Sequence, residues 1–502
     1  CHSRRSGLIA DSSPPGAPFD DYYLLSVLDP GLYFADGQPD AEVYVYGSFL
    51  QSPMARAGVT CSNCHDPHTA ELVATGNAVC TQCHNPAGNT AFPSAPAADF
   101  DSADHHHHDP ASEAGQCVSC HMPERTYMMV DPRRDHGFRV PRPDVSAAVG
   151  APDACTACHD DRTQTWAADV LTQWYPGGRN SEPHPGLVIA AGRSDPAAEV
   201  TGELLRLAND PAVSGIMRAT AVSLLGLRLD VEGMAQLYPM LDDPDPLVRR
   251  AAVDALRFVP YEVRVALLVP RTADPVRSVR VAAALVTMGL PEDAIPEEYR
   301  DAVAAARGEA SRMLFAVADF PEGQMQAGGV AQSMRQFDAA YAAFTEAARL
   351  DPQLEGAWVA GARLLLSGGY FGEAEARLSE GLEHNPDSIA LNLASAETLL
   401  SMGRPREAVE RVLTAARQNP EDPGLRLDLA AVQSASGNFA GAMQALEAAR
   451  ILGADPATVL ESRAYVQLAS GDTAAAAATV RELKALVPDR ELGAELEALL
   501  TP

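Results

Sequence analysis

The sequence predicts a mainly α-helical chain: a loop-rich segment over 1–185, then two arrays of helical repeats over 186–305 and 306–502. Three observations carry this reading. Four copies of Cys-x-x-Cys-His crowd residues 61–159, in a stretch rich in Pro, Gly and Asp with little sustained periodicity. The composition then turns to Ala, Leu, Val, Glu and Arg, with apolar residues at helical spacing. Within that second part, short blocks recur at steps of 31 and then of 34 residues, as in stacked helix pairs. A chain of 502 residues, at ~150 per domain, has room for about three such units.

The four motifs are CSNCH at 61–65, CTQCH at 80–84, CVSCH at 117–121 and CTACH at 155–159. Each is a c-type haem attachment signal: two thiols form thioethers to the porphyrin and the histidine ligates the iron. The chain opens on Cys1-His2, which reads as the end of a fifth motif whose first cysteine lies upstream; the alternative is a lipidated N-terminal cysteine. The nine cysteines are Cys1, Cys61, Cys64, Cys80, Cys83, Cys117, Cys120, Cys155 and Cys158, so the motifs use them all and leave none for a structural disulfide. Two rival chemistries are weaker. A Cys₄ zinc ribbon has no need of a histidine after each pair, and a thioredoxin-like CxxC is expected once, beside a βαβ pattern that is absent here. The cofactor expected is therefore covalent haem c, at four complete sites and one partial site.

The proximal iron ligands follow from the motif: His65, His84, His121 and His159, with His2 for the partial site. A six-coordinate haem needs a second axial ligand from elsewhere. Twelve of the thirteen histidines precede residue 185, and the candidates for that role are His68, His105, His106, His107, His108, His136 and His184. His68, in CHDPH, follows a proline that turns the chain away from its own haem. In the HHHH run at 105–108, neighbouring side chains point to different sides, so two of them could serve two different haems; at least one ligand is expected here, and the sequence does not say which. His136 sits in DPRRDHGFRVPRPD, where Arg133, Arg134, Arg139 and Arg142 are candidates for haem propionates or for a solvated loop. His184 lies in SEPHPG, as a last ligand or a linker residue, and Met54 is expected to pack on a haem face. With so little regular structure, this region is expected to draw its core from the apolar macrocycles, with short helices at the motifs.

The formal net charge of −29 argues against nucleic acid or an anionic membrane as partner. No apolar run approaches the ~18 residues that cross a bilayer. Because thioether attachment of haem takes place outside the cytoplasm, the expected location is extracytoplasmic, in the periplasm. The chain does not start with Met and shows no signal segment, in keeping with an N-terminal truncation.

The 31-residue family comprises MRATAVSLL from Met217, VRRAAVDAL from Val248 and VRVAAALVT from Val279, each preceded by an Asp-Pro pair (Asp210-Pro211, Asp245-Pro246, Asp274-Pro275). These blocks resemble shortened HEAT-like repeats. In the second family Gly369, Gly403, Gly437 and Gly471 recur at steps of 34, each followed five residues later by Ala374, Ala408, Ala442 or Ala476. With Trp358 at a consensus position and an earlier copy at Gly328–Pro352, this resembles a tetratricopeptide array of about five repeats. Such solenoids bind partners more often than they catalyse, so a protein partner in the TPR/HEAT groove is expected. Trp358 and the alanines are read as packing residues.

As a whole the chain resembles multihaem c-type cytochromes that end in HEAT-like and tetratricopeptide repeats. The residues that carry the resemblance are EVYVYGSFLQSPMARAGVTCSNCHDPH at 42–68, HHHH with CVSCHMP at 105–123, DPRRDHGFRVPRPD at 131–144 and CTACH at 155–159. The haem part is similar to a broader group that includes tetrahaem electron-transfer cytochromes, pentahaem nitrite reductases and hydroxylamine oxidoreductases. The resemblance implies further CxxCH sites before residue 1. It also implies one of two functions, because that group mixes carriers and enzymes. The first is electron transfer along bis-His haems to redox partner proteins. The second is a multihaem oxidoreductase acting on a small nitrogen or sulfur compound at a five-coordinate haem. The only lysine is Lys484, so no CxxCK site occurs in this stretch and the carrier reading leads.

Overall fold

A computed structural model of the chain describes residues 3–9, 13–178, 182–194, 198–488 and 492–500; Cys1 and His2 lie outside them. The chain is mainly helical and divides into two compact units, 1–316 and 317–502.

In the first unit the motif region is built from turns and single helical turns. Thr60 and Asn63 cap each other around a short 3₁₀ turn at Cys61–Asn63, and further turns of helix form at Ala78–Thr81 and Cys117–His121. Asp153 opens the fourth motif by accepting hydrogen bonds from the amides of Cys155 and Thr156. Single helical turns are therefore present at the first three motifs, while the fourth, CTACH at 155–159, is built from turns alone. Two small antiparallel hairpins, Arg5–Gly7 with Tyr23–Leu25 and Glu124–Tyr127 with Asp131–Arg134, have no strong alternating pattern in the sequence.

A hydrophobic core joins the N-terminal segment of this unit to its repeats. Leu25, Leu28, Tyr33 and Val43 pack in one cluster with Ile189, Leu204, Leu225, Val248 and Val279 of the repeat helices. The segments 1–185 and 186–305, distinct in composition, thus share a hydrophobic core. Burying Leu25 and Leu28, 2% and 1% exposed, stabilises the unit by roughly 1.5–3 kcal/mol each. Tyr33 fits only because residue 47 is glycine, since a Cβ there would collide with the phenol oxygen.

Polar bonds fix the same segment in register. Arg277 donates to the Asp21 carbonyl (2.5 Å), Arg250 to that of Leu25 (2.5 Å), and Arg193 to those of Leu28 (2.5 Å) and Tyr33 (3.2 Å). The Leu28 amide donates to Thr220 Oγ1 at 3.0 Å. Residues 21–33 therefore lie along successive repeats as a strap.

The 31-residue repeat has a physical basis in the structure. Arg218, Arg249 and Arg280, one repeat apart, each pair with a carboxylate of the next repeat: Asp243, Asp274 and Glu309. In each Asp-Pro pair the aspartate accepts an amide two residues on, at Ala212, Leu247 and Val276. That bond caps a turn or helix start, where the proline lacks the N–H that would go unused.

Among the described residues the second unit contains five helix pairs, from Pro321–Ser333 with Phe337–Leu350 to Pro456–Ala469 with Thr473–Leu486. Ala374, Ala408, Ala442 and Ala476 are fully buried between helices. Gly369, Gly403, Gly437 and Gly471 all take positive φ, from 70° to 85°, at the turn inside each pair. Arg335, one lattice step before Gly369, takes φ 59° in its place. Trp358 is buried and its indole donates to the Pro352 carbonyl at 3.0 Å, so its role is packing.

Candidate haem sites

All eight motif cysteines among the described residues are free thiols, and the motifs adjoin one another in chain order. Gln82 of the second donates to the Asn63 carbonyl of the first (3.1 Å). Asn77, just before the second, accepts from the Cys117 amide (2.8 Å) and donates to the Gly115 carbonyl (3.0 Å) at the third. The thiols report the same order. Burial raises the Cys64 pKa, and the proximity of Cys83 and Cys61 adds to it. Cys80 is pushed up by donating a hydrogen bond to Cys117 and by burial. Burial and the neighbouring Cys158 and Cys117 raise Cys120. Burial, Asp153 and Cys120 push Cys155 up to about 12. Cys117 moves the other way, lowered by the hydrogen bond it accepts from Cys80.

Three of the four motif histidines are brought to other imidazoles. The ring centroids of His65 and His136 lie 6.4 Å apart with planes at 26°, those of His121 and His105 6.1 Å at 6°, and those of His159 and His108 6.2 Å at 39°. These rings are too far apart to overlap face on. Metal–imidazole bonds of about 2.0 Å, on opposite sides of one ion, put ring centroids about 6.3 Å apart. The three gaps therefore have the width that one iron between two imidazoles requires.

The hydrogen bonds set the tautomers accordingly. The Nδ1–H groups of His65, His121 and His136 donate to the carbonyls of Ala70 (3.0 Å), Arg139 (2.7 Å) and Arg134 (3.0 Å). For His65 and His121 this leaves the Nε2 lone pair available, the arrangement that orients histidine on a metal. Burial and the nearby His121, His106 and His107 lower the pKa of His105; burial and His121 lower that of His84. Against His84 the ring is a phenyl, Phe100, at 6.1 Å.

The remaining candidates go elsewhere. His68 is exposed beside Asp66. His106 accepts the His108 amide at Nδ1, and its buried Nε2 has no protein partner. His107 takes the left-handed conformation (φ 57°), at a cost of about 1–2 kcal/mol for a residue with a Cβ, and stacks on Trp174 at 4.1 Å. His184 accepts the Gly186 amide at Nδ1, which leaves the proton on Nε2. Burial lowers its pKa to about 4, despite Asp36 nearby.

Arg133, Arg134, Arg139 and Arg142 are each paired with a carboxylate, of Asp131 and Glu42, Glu124, Asp135, and Asp144 respectively. They brace the loop that carries His136. Beside His136 opens a cavity of about 570 Å³, walled by Phe34, Val43, Tyr127, Arg133, Arg134 and Ala157. Cofactor pockets span ~300–1,000 Å³.

Trp166 and Trp174, at the two ends of the Gln164–Trp174 helix, stood out in no motif. Trp166 packs on His159 (5.1 Å) while Trp174 holds His107 and meets His108 edge-on (6.3 Å).

Comparison with known families gives three matches. Residues 52–89 match the doubled CXXCH motif, 199–289 the HEAT repeats, and 365–422 and 399–460 the tetratricopeptide repeat. The chain carries a paired haem-attachment motif and two kinds of helical repeat. The doubled motif points to covalent haem c, and the tetratricopeptide repeats to protein partners.

No curated protein matches the chain. Among solved structures it is similar to PilW, a type IV pilus biogenesis factor, at 18% identity and TM-score 0.34, over 46% of this chain and 100% of that one. It is also similar to YrrB, a tetratricopeptide protein with an unusual peptide-binding site (14%, 0.29, 36% and 93%). A third is MamA from Desulfovibrio magneticus RS-1 (13%, 0.30, 34% and 97%). Among the described residues no helix is long and apolar enough to cross a membrane.

Proposed function

We propose that this chain is a multihaem c-type cytochrome that carries electrons outside the cytoplasm, in the periplasm, between redox partner proteins, with the tetratricopeptide unit as its docking module. The observation that carries the reading is the set of three imidazole pairs at 6.1–6.4 Å, each joining a motif histidine to one from a distant loop. Haem bound at such sites supplies reversible one-electron exchange, and two histidine ligands leave no position open for substrate.

The protein's part is to hold, orient and space. Cys61 and Cys64, Cys80 and Cys83, Cys117 and Cys120, and Cys155 and Cys158 anchor. His65 with His136, His121 with His105, and His159 with His108 clamp, each oriented by a backbone acceptor or a packed aromatic ring. Hydrogen bonds join the first motif to the second, and the residue just before the second to the third, so these sites are neighbours, as a wire requires.

A second reading, reduction or oxidation of a small nitrogen or sulfur compound, draws on Phe100, which packs on His84 where the other three motif histidines have an imidazole. One experiment separates the two. Pyridine haemochrome and low-temperature EPR are recorded on protein matured with haem. Four or more haems per chain, all low-spin and unmoved by nitrite or hydroxylamine, is the expected result. A stoichiometric high-spin signal that shifts with either compound favours the enzyme. Bound zinc and no haem would overturn both.

A further inference from the structure

We propose that Trp174 and Tyr175 are positioning residues that assign His105 to the motif ending in His121 and His108 to the motif ending in His159. The assignment rests on the haem reading above. Four consecutive histidines offer many ways to serve two irons, and nothing in HHHH itself selects one.

The structure selects through His107. Its left-handed backbone reverses the chain between His105 and His108, so those two imidazoles face different motifs, at 6.1 Å from His121 and 6.2 Å from His159. A non-glycine residue holds that conformation only where its surroundings compensate. Here the compensation is aromatic. The His107 ring lies on Trp174 at 4.1 Å and 21°, and meets the edge of Tyr175 at 5.9 Å.

The same two residues touch the outer histidines as well. Trp174 stands edge-on to His108 (6.3 Å, 89°), and Tyr175 leans on His105 (6.2 Å) while its hydroxyl donates to the His105 carbonyl. Each distal candidate therefore has one wall from this pair. The clamp is itself anchored, because the helix that ends at Trp174 begins with a Thr163 cap and a tryptophan packed on His159. One rigid element thus references the ligands on both sides of the fourth site.

The test is Trp174→Ala, with Trp174→Phe and His107→Gly beside it. Haem content is read by pyridine haemochrome and spin state by EPR on the full chain. The expected result is an unchanged haem count with low-spin signal lost from two haems, while the signal of the His65–His136 site persists. Trp174→Phe retains an aromatic wall and is expected to keep the native spectrum. His107→Gly adopts the left-handed turn freely but lacks the ring, and is expected to loosen the same two sites. It also serves as the readout if Trp174→Ala fails to mature.

Native low-spin intensity in Trp174→Ala, or in His107→Gly where that is the readout, overturns the assignment, as does equal loss at the His65–His136 site. A haem-free wild-type protein overturns the haem reading itself, an outcome distinct from a fully loaded protein whose variants do not change.

Discussion

Replacing Arg139 by leucine is expected to cost about 3–5 kcal/mol, the penalty for leaving a buried carboxylate without its partner. The side chains of Arg139 and Asp135 are 16% and 6% exposed, and they meet at 2.6 Å. The guanidinium also donates to the Asp36 carbonyl and to Gln51. The main chain of Arg139 exchanges two hydrogen bonds with His121, one through each residue's carbonyl. Asp135 caps Gly137 beside His136 at 2.8 Å. The perturbation therefore reaches ligand candidates of two sites through one ion pair. Urea denaturation of the intact chain is the assay, with the tetratricopeptide unit as internal reference. With a slope of about 2–3 kcal/mol per molar, the first transition should move down by about 1–2 M. Adding Asp135→Asn removes the orphaned charge while keeping an oxygen for Gly137, and is expected to recover at least half of the loss. A penalty under about 1 kcal/mol for Arg139→Leu, or a double variant no more stable than the single, would refute this account.

Two buried groups give opposite pH dependence. Burial raises the Asp20 pKa to about 6, against the pull of Arg250, so its contribution is full below pH 3.8 and lost as pH rises through about 6. Burial lowers His184 to about 4, so its contribution is full above pH 6.5 and lost as pH falls through about 4. The two slopes oppose each other between pH 4 and 6, and Asp20→Asn should unmask a loss of up to about 3 kcal/mol on acidification, read by denaturation at several pH values. Leu28→Ala should cost about 2–5 kcal/mol by emptying part of the shared core and speed amide exchange over residues 21–33. Gly437→Ala places a Cβ at φ 78° and should lower the stability of the second unit by about 1–2 kcal/mol, measured by calorimetry.

The repeats were legible because their causes are local. A 34-residue step in Gly and Ala reports a left-handed turn and a close helix contact, and both positions hold them. The paired motif at 52–89 was legible for the same reason, since its cysteines and histidines lie within a few residues of one another. The pairing of His136, His105 and His108 was not, because it depends on a left-handed turn at His107 and on Trp174, some 67 positions away along the chain. Nor was the strap: nothing in DYYLLSVLDPGLY marks it as a partner for arginines about 160–256 residues further on. The carboxylate partners of the arginines of 133–142 were not legible either, because a count of charges along a loop does not show which acids fold back to meet them.

The strap has a consequence for the order in which this protein takes shape. Arg277 meets Asp21 across 256 residues of chain, and Thr220 meets Leu28 across 192. Contacts of such span form late, and synthesis proceeds from the N-terminus. The seat of the strap does not exist until Arg277 has been made, more than a hundred residues after the last CxxCH motif at 155–159. The first unit therefore cannot complete its shared core until the last of the 31-residue repeats has been made, and a chain that stops short of Arg277 leaves Asp21 without its seat.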